Sequence, residues 1–253
     1  MQCMRPTDVS TCLPKYKLTL GATFDDGPSE WTDELLDFLK SQNVTATLFV
    51  LGSHVIKYPL LLQRAYNEGH TIAAHTWSHY PMANLTNEQF ISEIMWTELA
   101  IEKAIGIRPR FWRPPFGDID DRIRAILKQL DYTPVIWSLS PQDATHPYID
   151  VAADKKTVLD YLVNELGFLK GMYTKLGNPD PNYIILEHDR VQATVELAPQ
   201  VYSILAAWNY TIKDALGAGC TDYSTSDTYA APRATKVLQG SAGSRRRRDY
   251  GEL

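Results

Sequence analysis

From Lys17 onward, short apolar runs rich in β-formers alternate with segments of helical period, and no composition break interrupts the series before about Thr221. Lys17–Phe24, Ala46–Leu51, Thr71–Ala74, Phe111–Trp112, Val135–Leu139 and Tyr183–Leu186 read as strands. Trp31–Ser41, a long segment beginning at Thr86, Ile119–Leu130, Asp154–Phe168 and Val195–Trp208 read as helices between or after them. A helix between two strands returns the chain to pair in parallel, so the pattern predicts a parallel sheet covered by helices. Six or seven such units in series predict an α/β protein of one domain, a distorted (β/α)7 barrel. Thr86, with Gln89 three residues on, has the capping-box arrangement, and Phe90, Ile94, Ile101 and Ile105 follow at helical spacing and face the core.

A chain of 253 residues with 44% hydrophobic residues buries roughly three quarters of its unfolded surface around one core. The expected organisation is an N-terminal segment over 1–17, a folded domain over 18–220 and a tail over 221–253, disordered at its end. No apolar run approaches the ~18 residues of a membrane helix, and Met1–Ser10 lacks the charged-then-apolar order of a signal peptide, so a secretion signal is expected to be removed or absent. The net charge is −5, but Arg233–Leu253 holds six basic and two acidic residues, which leaves the body at −9. An acidic body and an Arg245–Arg248 run without interleaved aromatics read as a solvated tail, with no nucleic-acid partner expected. Cys3, Cys12 and Cys220 lack zinc-site spacing and allow one disulfide and a spare thiol. The sequons at Asn43, Asn84 and Asn209 favour secretion and glycosylation.

The polar exceptions fall at strand ends, where parallel α/β folds place active sites. Asp25-Asp26 ends the first strand, His75 and His79 follow the third, Arg113 the fourth and Asp143 the fifth, and His188-Asp189 ends the sixth. His75 and His79 are four residues apart, which in a helical turn sets both imidazoles on one face for one metal ion. Alone such a pair reads more readily as two surface or capping histidines, and an aspartate pair alone is as readily a pair of helix N-terminal charges. Together, two His and one Asp leave a tetrahedral Zn²⁺ a fourth position for water, and the site would be hydrolytic.

Thr23-Phe24-Asp25-Asp26-Gly27-Pro28, His75-Thr76-Trp77-Ser78-His79, Arg113-Pro114-Pro115-Phe116-Gly117 and Leu186-Glu187-His188-Asp189 occur in the order used by polysaccharide deacetylases. The chain resembles this family, the NodB-like carbohydrate esterase family 4, over roughly Leu18–Ala215, and is most similar to fungal chitin deacetylases. The resemblance implies a divalent metal, usually zinc with Co²⁺ as another option, and removal of acetyl groups from N-acetylglucosamine residues. By the same resemblance Asp25 is the general base, and Asp26, His75 and His79 are the metal ligands. Arg113 positions the base, Phe116 gives a backbone N–H to the oxyanion, and His188 is the general acid. The resemblance to fungal deacetylases and the meeting of first and last strands in a barrel both point to a Cys12–Cys220 disulfide, with Cys3 spare.

One motif departs from the family pattern. Where the family carries Asp-x-x-Asp-Trp, this chain reads Ser140-Pro141-Gln142-Asp143-Ala144. Asp143 remains to hold and charge His188, whereas Ala144 removes an aromatic wall from the acid. His54, His70 and His146 have no ligand spacing and read as structural or surface residues, and Trp137 reads as core. Trp31, Trp77, Tyr80 and Tyr148 are candidates to stack on sugar, with Leu186 beside the acid. The expected function is a monomeric, secreted or cell-wall zinc deacetylase acting on chitin or chitooligosaccharides. An O-acetyl esterase on acetylated xylan or another glycan, or a catalytically weak glycan-binding module, are the alternatives.

Overall fold

Every residue of β1 (Thr19–Asp25) is buried, as expected of a strand covered on both faces at the centre of a parallel sheet. The structure is a computed structural model and describes Arg5, residues 7–145 and residues 151–231. After β1 come α1 (Thr32–Ser41), β2 (Thr47–Val50), α2 (Gly52–Lys57), α3 (Pro59–Asn67), β3 (Thr71–Ala74), α4 (Asn87–Ile105), β4 (Arg108–Pro109) and β5 (Phe111–Trp112). Then follow α5 (Asp121–Gln129), β6 (Thr133–Pro134), α6 (Val151–Lys175), β7 (Tyr183–Ile184), β8 (Glu187–His188), α7 (Gln192–Val195), α8 (Ala198–Ala207), β9 (Thr211–Asp214), α9 (Thr225–Thr228) and β10 (Tyr229–Ala230).

The main sheet runs β6-β5-β3-β2-β1-β7, with β8 and β9 also on β1, and its pairings are parallel. Residues 183–188 act as one interrupted strand, since β7 pairs with Leu20 and Gly21 and β8 with Phe24 and Asp25. The opposite edge of β1 is shared by β9 and then β2. The two ends of the sheet meet at one bridge, Leu139 to Ile185, so the fold is a mixed α/β barrel-like ring drawn together rather than closed by a continuous ladder. The expected strand at Val135–Leu139 is irregular for a visible reason. Pro134 has no N–H to give, and Val9 takes this edge instead, donating to Pro134 O at 3.0 Å and accepting from Ile136 N at 2.7 Å.

Strand alternation sorts the core into two layers. Leu20, Ala22, Phe24, Leu48, Val50, Ile72 and Ala74 face the helices, whereas Phe49, Ala73, Phe111, Val135 and Ile184 fill the interior with Cys12, Leu216 and Cys220. The interior positions of β1 are therefore Gly21, Thr23 and Asp25. A side chain at Gly21 would meet Ala215 Cα at 2.9 Å and Cys220 Sγ at 3.0 Å, so only glycine fits beneath the plug. That plug is the expected Cys12–Cys220 disulfide, which joins residues 208 apart in sequence.

The helix starting at Thr86 carries the expected capping box, with Gln89 N donating to Thr86 Oγ1 at 3.3 Å and Thr86 N to Gln89 Oε1 at 2.9 Å. α2, α3 and β9 are not expected, and the helix expected over Val195–Trp208 is α8, which starts three residues later with a proline in its first turn, while the short α7 precedes it. Beyond Thr221, β10 pairs with β4, the Tyr223 ring lies 4.7 Å from Phe111, and Ile72 N donates to the Tyr229 hydroxyl at 2.8 Å. Cys3, His146, Tyr148 and Arg245–Arg248 lie outside the described residues. No helix among the described residues is long and apolar enough to cross a membrane.

Candidate metal and catalytic centre

Asp25 ends β1 on the interior face, and the chain then turns through Asp26 at a φ of 77°, so the adjacent carboxylates diverge. Asp26 is fixed through its backbone, its N–H donating to Phe49 O at 3.2 Å and its carbonyl accepting from His54 Nδ1 at 2.8 Å. His54 thus supports the site structurally, and buried His70 accepts from Ala46 N at 3.1 Å. His75 follows β3 and donates through Nδ1–H to Arg113 O at 2.9 Å, which fixes its tautomer and leaves a lone pair on Nε2.

The chain from His75 to His79 is not the helical turn expected from their spacing. Thr76 and His79 have φ of 79° and 57°, and the loop folds back with His79 N donating to Thr76 Oγ1 at 3.2 Å. The imidazoles converge all the same, their centroids 5.1 Å apart. One atom each from Asp26, His75 and His79 lies within 4.8 Å of the others, with Asp26 Oδ1 at 3.4 Å and 3.3 Å from the two Nε2 atoms. Among the described residues this is the one such cluster. Asp26 Oδ1 is buried there without a hydrogen-bond partner, a costly state unless a cation occupies the convergence point. Burial lowers the His79 pKa and so favours the neutral, metal-binding imidazole. Burial opposes ionisation of Asp26, but the imidazoles of His75, His188 and His79 outweigh it and hold the carboxyl well below its usual range. The donor set fits a divalent metal that takes nitrogen and oxygen ligands.

Arg113 is completely buried and reaches the centre from beneath. Its Nη1 donates to Asp25 Oδ1 at 2.8 Å and Thr23 Oγ1 at 2.7 Å, its Nε to Val135 O at 3.3 Å, and its guanidinium lies 4.0 Å from the Phe49 ring centroid. One oxygen of Asp25 is therefore pinned, while the other stands 3.7 Å from His75 Nε2. Asp143 grips His188 twice, accepting from its backbone N–H at 2.8 Å and from Nδ1 at 2.9 Å. Burial lowers the His188 pKa, but the charge and hydrogen bond of Asp143, helped by Asp26 and Asp25, more than reverse this and raise it to about 9. His188 is then a cation at neutral pH, and it lines the same cavity on the strand beside Asp25.

A cavity of about 390 Å³ brings together Asp25, Asp26, His75, His79, Phe116, Asp143, Leu186 and His188. Phe116 is 65% exposed at its mouth, with its ring 4.6 Å from His79 and a φ of 58°. Trp137, expected in the core, instead lines this cavity. Its signal was parity, since Trp137 lies two residues beyond the inward-facing Val135. Arg190 was also missed, and its Nη1 comes within 3.9 Å of Asp26 Oδ2. Its clue was adjacency to the His188-Asp189 pair. Trp31 and Trp77 pack half-buried against the outer core, and Tyr80 lines a separate groove along α4. These three are not brought to the cavity. A tryptophan's place is taken by the exposed Ala144, which lines the cavity beside Asp143.

The polysaccharide deacetylase family model matches residues 14–135. Chitin deacetylase 1 of Cryptococcus neoformans var. grubii is 36% identical over 255 residues, covering 96% of this chain and 52% of that protein. The chain spans about half the length of the curated relatives it matches. The solved structure of the chitin deacetylase from Colletotrichum lindemuthianum shares the fold, with a TM-score of 0.78, 24% identity and coverage of 90% of this chain and 97% of that one. Peptidoglycan deacetylase PdaC from Bacillus subtilis is 31% identical with a TM-score of 0.64, covering 80% of this chain and 89% of that one. With four ordered motifs converging on one cavity, the chain belongs to the polysaccharide deacetylase family.

Proposed function

We propose that this chain is a zinc-dependent hydrolase that removes N-acetyl groups from N-acetylglucosamine residues of chitin or chitooligosaccharides. The observation that carries the reading is the orphaned Asp26 Oδ1 facing two imidazoles, with a pinned carboxylate and a cationic imidazole on the same cavity. The names of the fungal relatives support the substrate. Asp26, His75 and His79 would hold the ion, which when bound supplies Lewis-acid polarisation of the acetamide carbonyl and a nucleophile that forms near neutral pH.

The chain's own residues do the rest. Asp25, held by Arg113, takes the proton from the attacking water, and a planar guanidinium suits that task because it fixes the direction of the free carboxylate oxygen. The Phe116 N–H offers a donor to the developing oxyanion, at a position where Pro114 and Pro115 have none. His188 gives its Nε2 proton to the departing amine, and Asp143 keeps that proton available. Leu186 contributes an apolar wall suited to the acetyl methyl.

The catalytic domain would span residues 18–220, act as a monomer and work outside the cell or in its wall. The Cys12–Cys220 disulfide and the exposed sequon asparagines Asn43, Asn84 and Asn209 support that location. The test is mass spectrometry of defined N-acetylglucosamine oligomers. Acetate loss abolished by a chelator and restored by zinc is expected. Acetate from acetylated xylan alone would make the chain an esterase, and acetate from neither would reduce it to a glycan-binding module.

A further inference from the structure

We propose that Glu93 of α4 is a positioning residue for the metal site, holding the loop between His75 and His79 in the shape that lets both imidazoles reach one ion. The inference rests on the metal reading above.

The loop needs such a support. Thr76 and His79 both sit at positive φ, a conformation that is costly for a non-glycine residue and persists only where the surroundings over-determine it. Two supports are ordinary: α2 gives Gly52 N to Thr76 O at 2.9 Å and Ser53 N to Trp77 O at 3.4 Å, and the loop bonds itself through Thr76 Oγ1. These satisfy carbonyls and the His79 N–H, leaving two successive N–H groups at the apex. Glu93 takes both. Its Oε2 accepts from Trp77 N and Ser78 N at 2.8 Å each, and its Oε1 accepts from Ser78 Oγ at 2.7 Å.

Two backbone N–H groups converging on one oxygen and a hydroxyl on the other suit an ionised carboxylate, whose charge strengthens all three bonds at once. Glu93 also ties the loop to something rigid, because Phe90 and Ile94 on the same helix are fully buried. It stays out of the catalytic cavity, so its action passes through the backbone. The ligand that depends on it is His79. His75 is held independently by Val50 O and Arg113 O, whereas His79 lies at the far end of the loop with its side chain 20% exposed, against 2% for His75.

The test is zinc affinity of the full chain by chelator competition, read beside the melting temperature of the metal-free protein. Glu93→Gln keeps the shape, but with its NH2 turned to Ser78 Oγ both backbone N–H bonds fall on a neutral amide oxygen, which accepts less strongly than a carboxylate. It should weaken zinc about tenfold, the low end of the effect of lost outer-shell partners, while the metal-free protein melts as wild type does. Ser92→Ala, one residue away on the same helix, should leave affinity unchanged. Should Glu93→Gln not fold, Ser78→Ala removes one of the three bonds without touching the helix and should still weaken zinc measurably. Wild-type affinity in either folded variant overturns the proposal, as does a loss of affinity matched by an equal loss of metal-free stability. If the wild-type chain takes up no zinc and His79→Ala changes nothing, the metal reading itself has failed.

Discussion

Asp143 sets the pH range over which His188 can act as an acid, and removing its charge isolates that effect. In Asp143→Asn the volume is kept, but one amide oxygen cannot accept from both the backbone N–H and Nδ1 of His188, as the carboxylate does. Burial, the largest single influence on His188, lowers its pKa, and without Asp143 only Asp26 and Asp25 oppose it. The pKa should therefore fall from about 9 to the ordinary value of about 6.5 or below, a change of roughly 3 kcal/mol in favour of the neutral ring. The sign follows from the direction of the shift: a raised histidine pKa means that the charged pair stabilises the fold fully below about pH 6.5, and this is lost as pH rises through about 9. Activity requiring the cation follows the same window. At about pH 7.5 the protonated fraction should drop from nearly all to about one in ten, and kcat/KM for acetate release should fall about tenfold. The alkaline limb should move down by about two units, with zinc content unchanged. An alkaline limb that stays in place, with zinc at wild-type stoichiometry, would refute the assignment of Asp143 as the group that charges His188.

The remaining predictions separate the other roles. Asp26→Ala, His75→Ala and His79→Ala should each lose zinc, whereas Asp25→Asn should keep it and lose about 10²–10⁴ in kcat; metal analysis beside kinetics checks the split, and stoichiometric zinc in His75→Ala would contradict it. Arg113→Lys keeps a charge but loses the Nε bond to Val135 O and the planar group over Phe49 that aim Nη1 at Asp25, so kcat/KM should fall about 10- to 100-fold, the worth of a charge-assisted hydrogen bond. Opening the 208-residue loop by Cys12→Ala with Cys220→Ala should cost about 2–5 kcal/mol in urea unfolding, and unchanged stability would show that the link does not constrain the unfolded chain.

Periodicity made the regular part of this molecule legible. β1, β3 and β5 fall where apolar runs predict them, because strands buried on both faces leave few alternatives in composition. α2 and α3 were missed because Pro59 divides one apolar stretch into two short helices. The Val135–Leu139 run looked like a strand but lies where the N-terminal segment displaces the sheet partner, a tertiary event that no local window contains. The motifs fixed the identities at the centre, while the conformation that unites them was hidden. Spacing gives His75 and His79 a helical turn, and the structure gives them a loop with two left-handed residues held by Glu93 on the following helix, outside any local window around the motif.

The regular and irregular halves of the ring carry different halves of the chemistry. The metal ligands and base leave β1 and β3, which are joined through β2 by continuous ladders, so Asp25, Asp26 and His75 are placed by backbone geometry as well as by side-chain contacts. His188 is placed by its backbone too, since β8 pairs with β1 at Asp25, but Asp143 lies on the segment that meets this strand through the Leu139–Ile185 bridge, and there a side chain must make the link. Asp143 does so by spanning to β8 and accepting from the backbone and the ring of His188 at once. That double grip explains how the motif at Ser140–Ala144 can lose its other members and still keep the acid in place. The tryptophan that Ala144 replaces would have covered the pair, but neither bond to His188 passes through it. Ala144, exposed at the cavity rim, covers the pair less than an aromatic would, while both hydrogen bonds to His188 persist. The consequence falls on the strength of the acid rather than on its position, so the alkaline limb of the pH profile is where Ala144→Trp should differ from wild type.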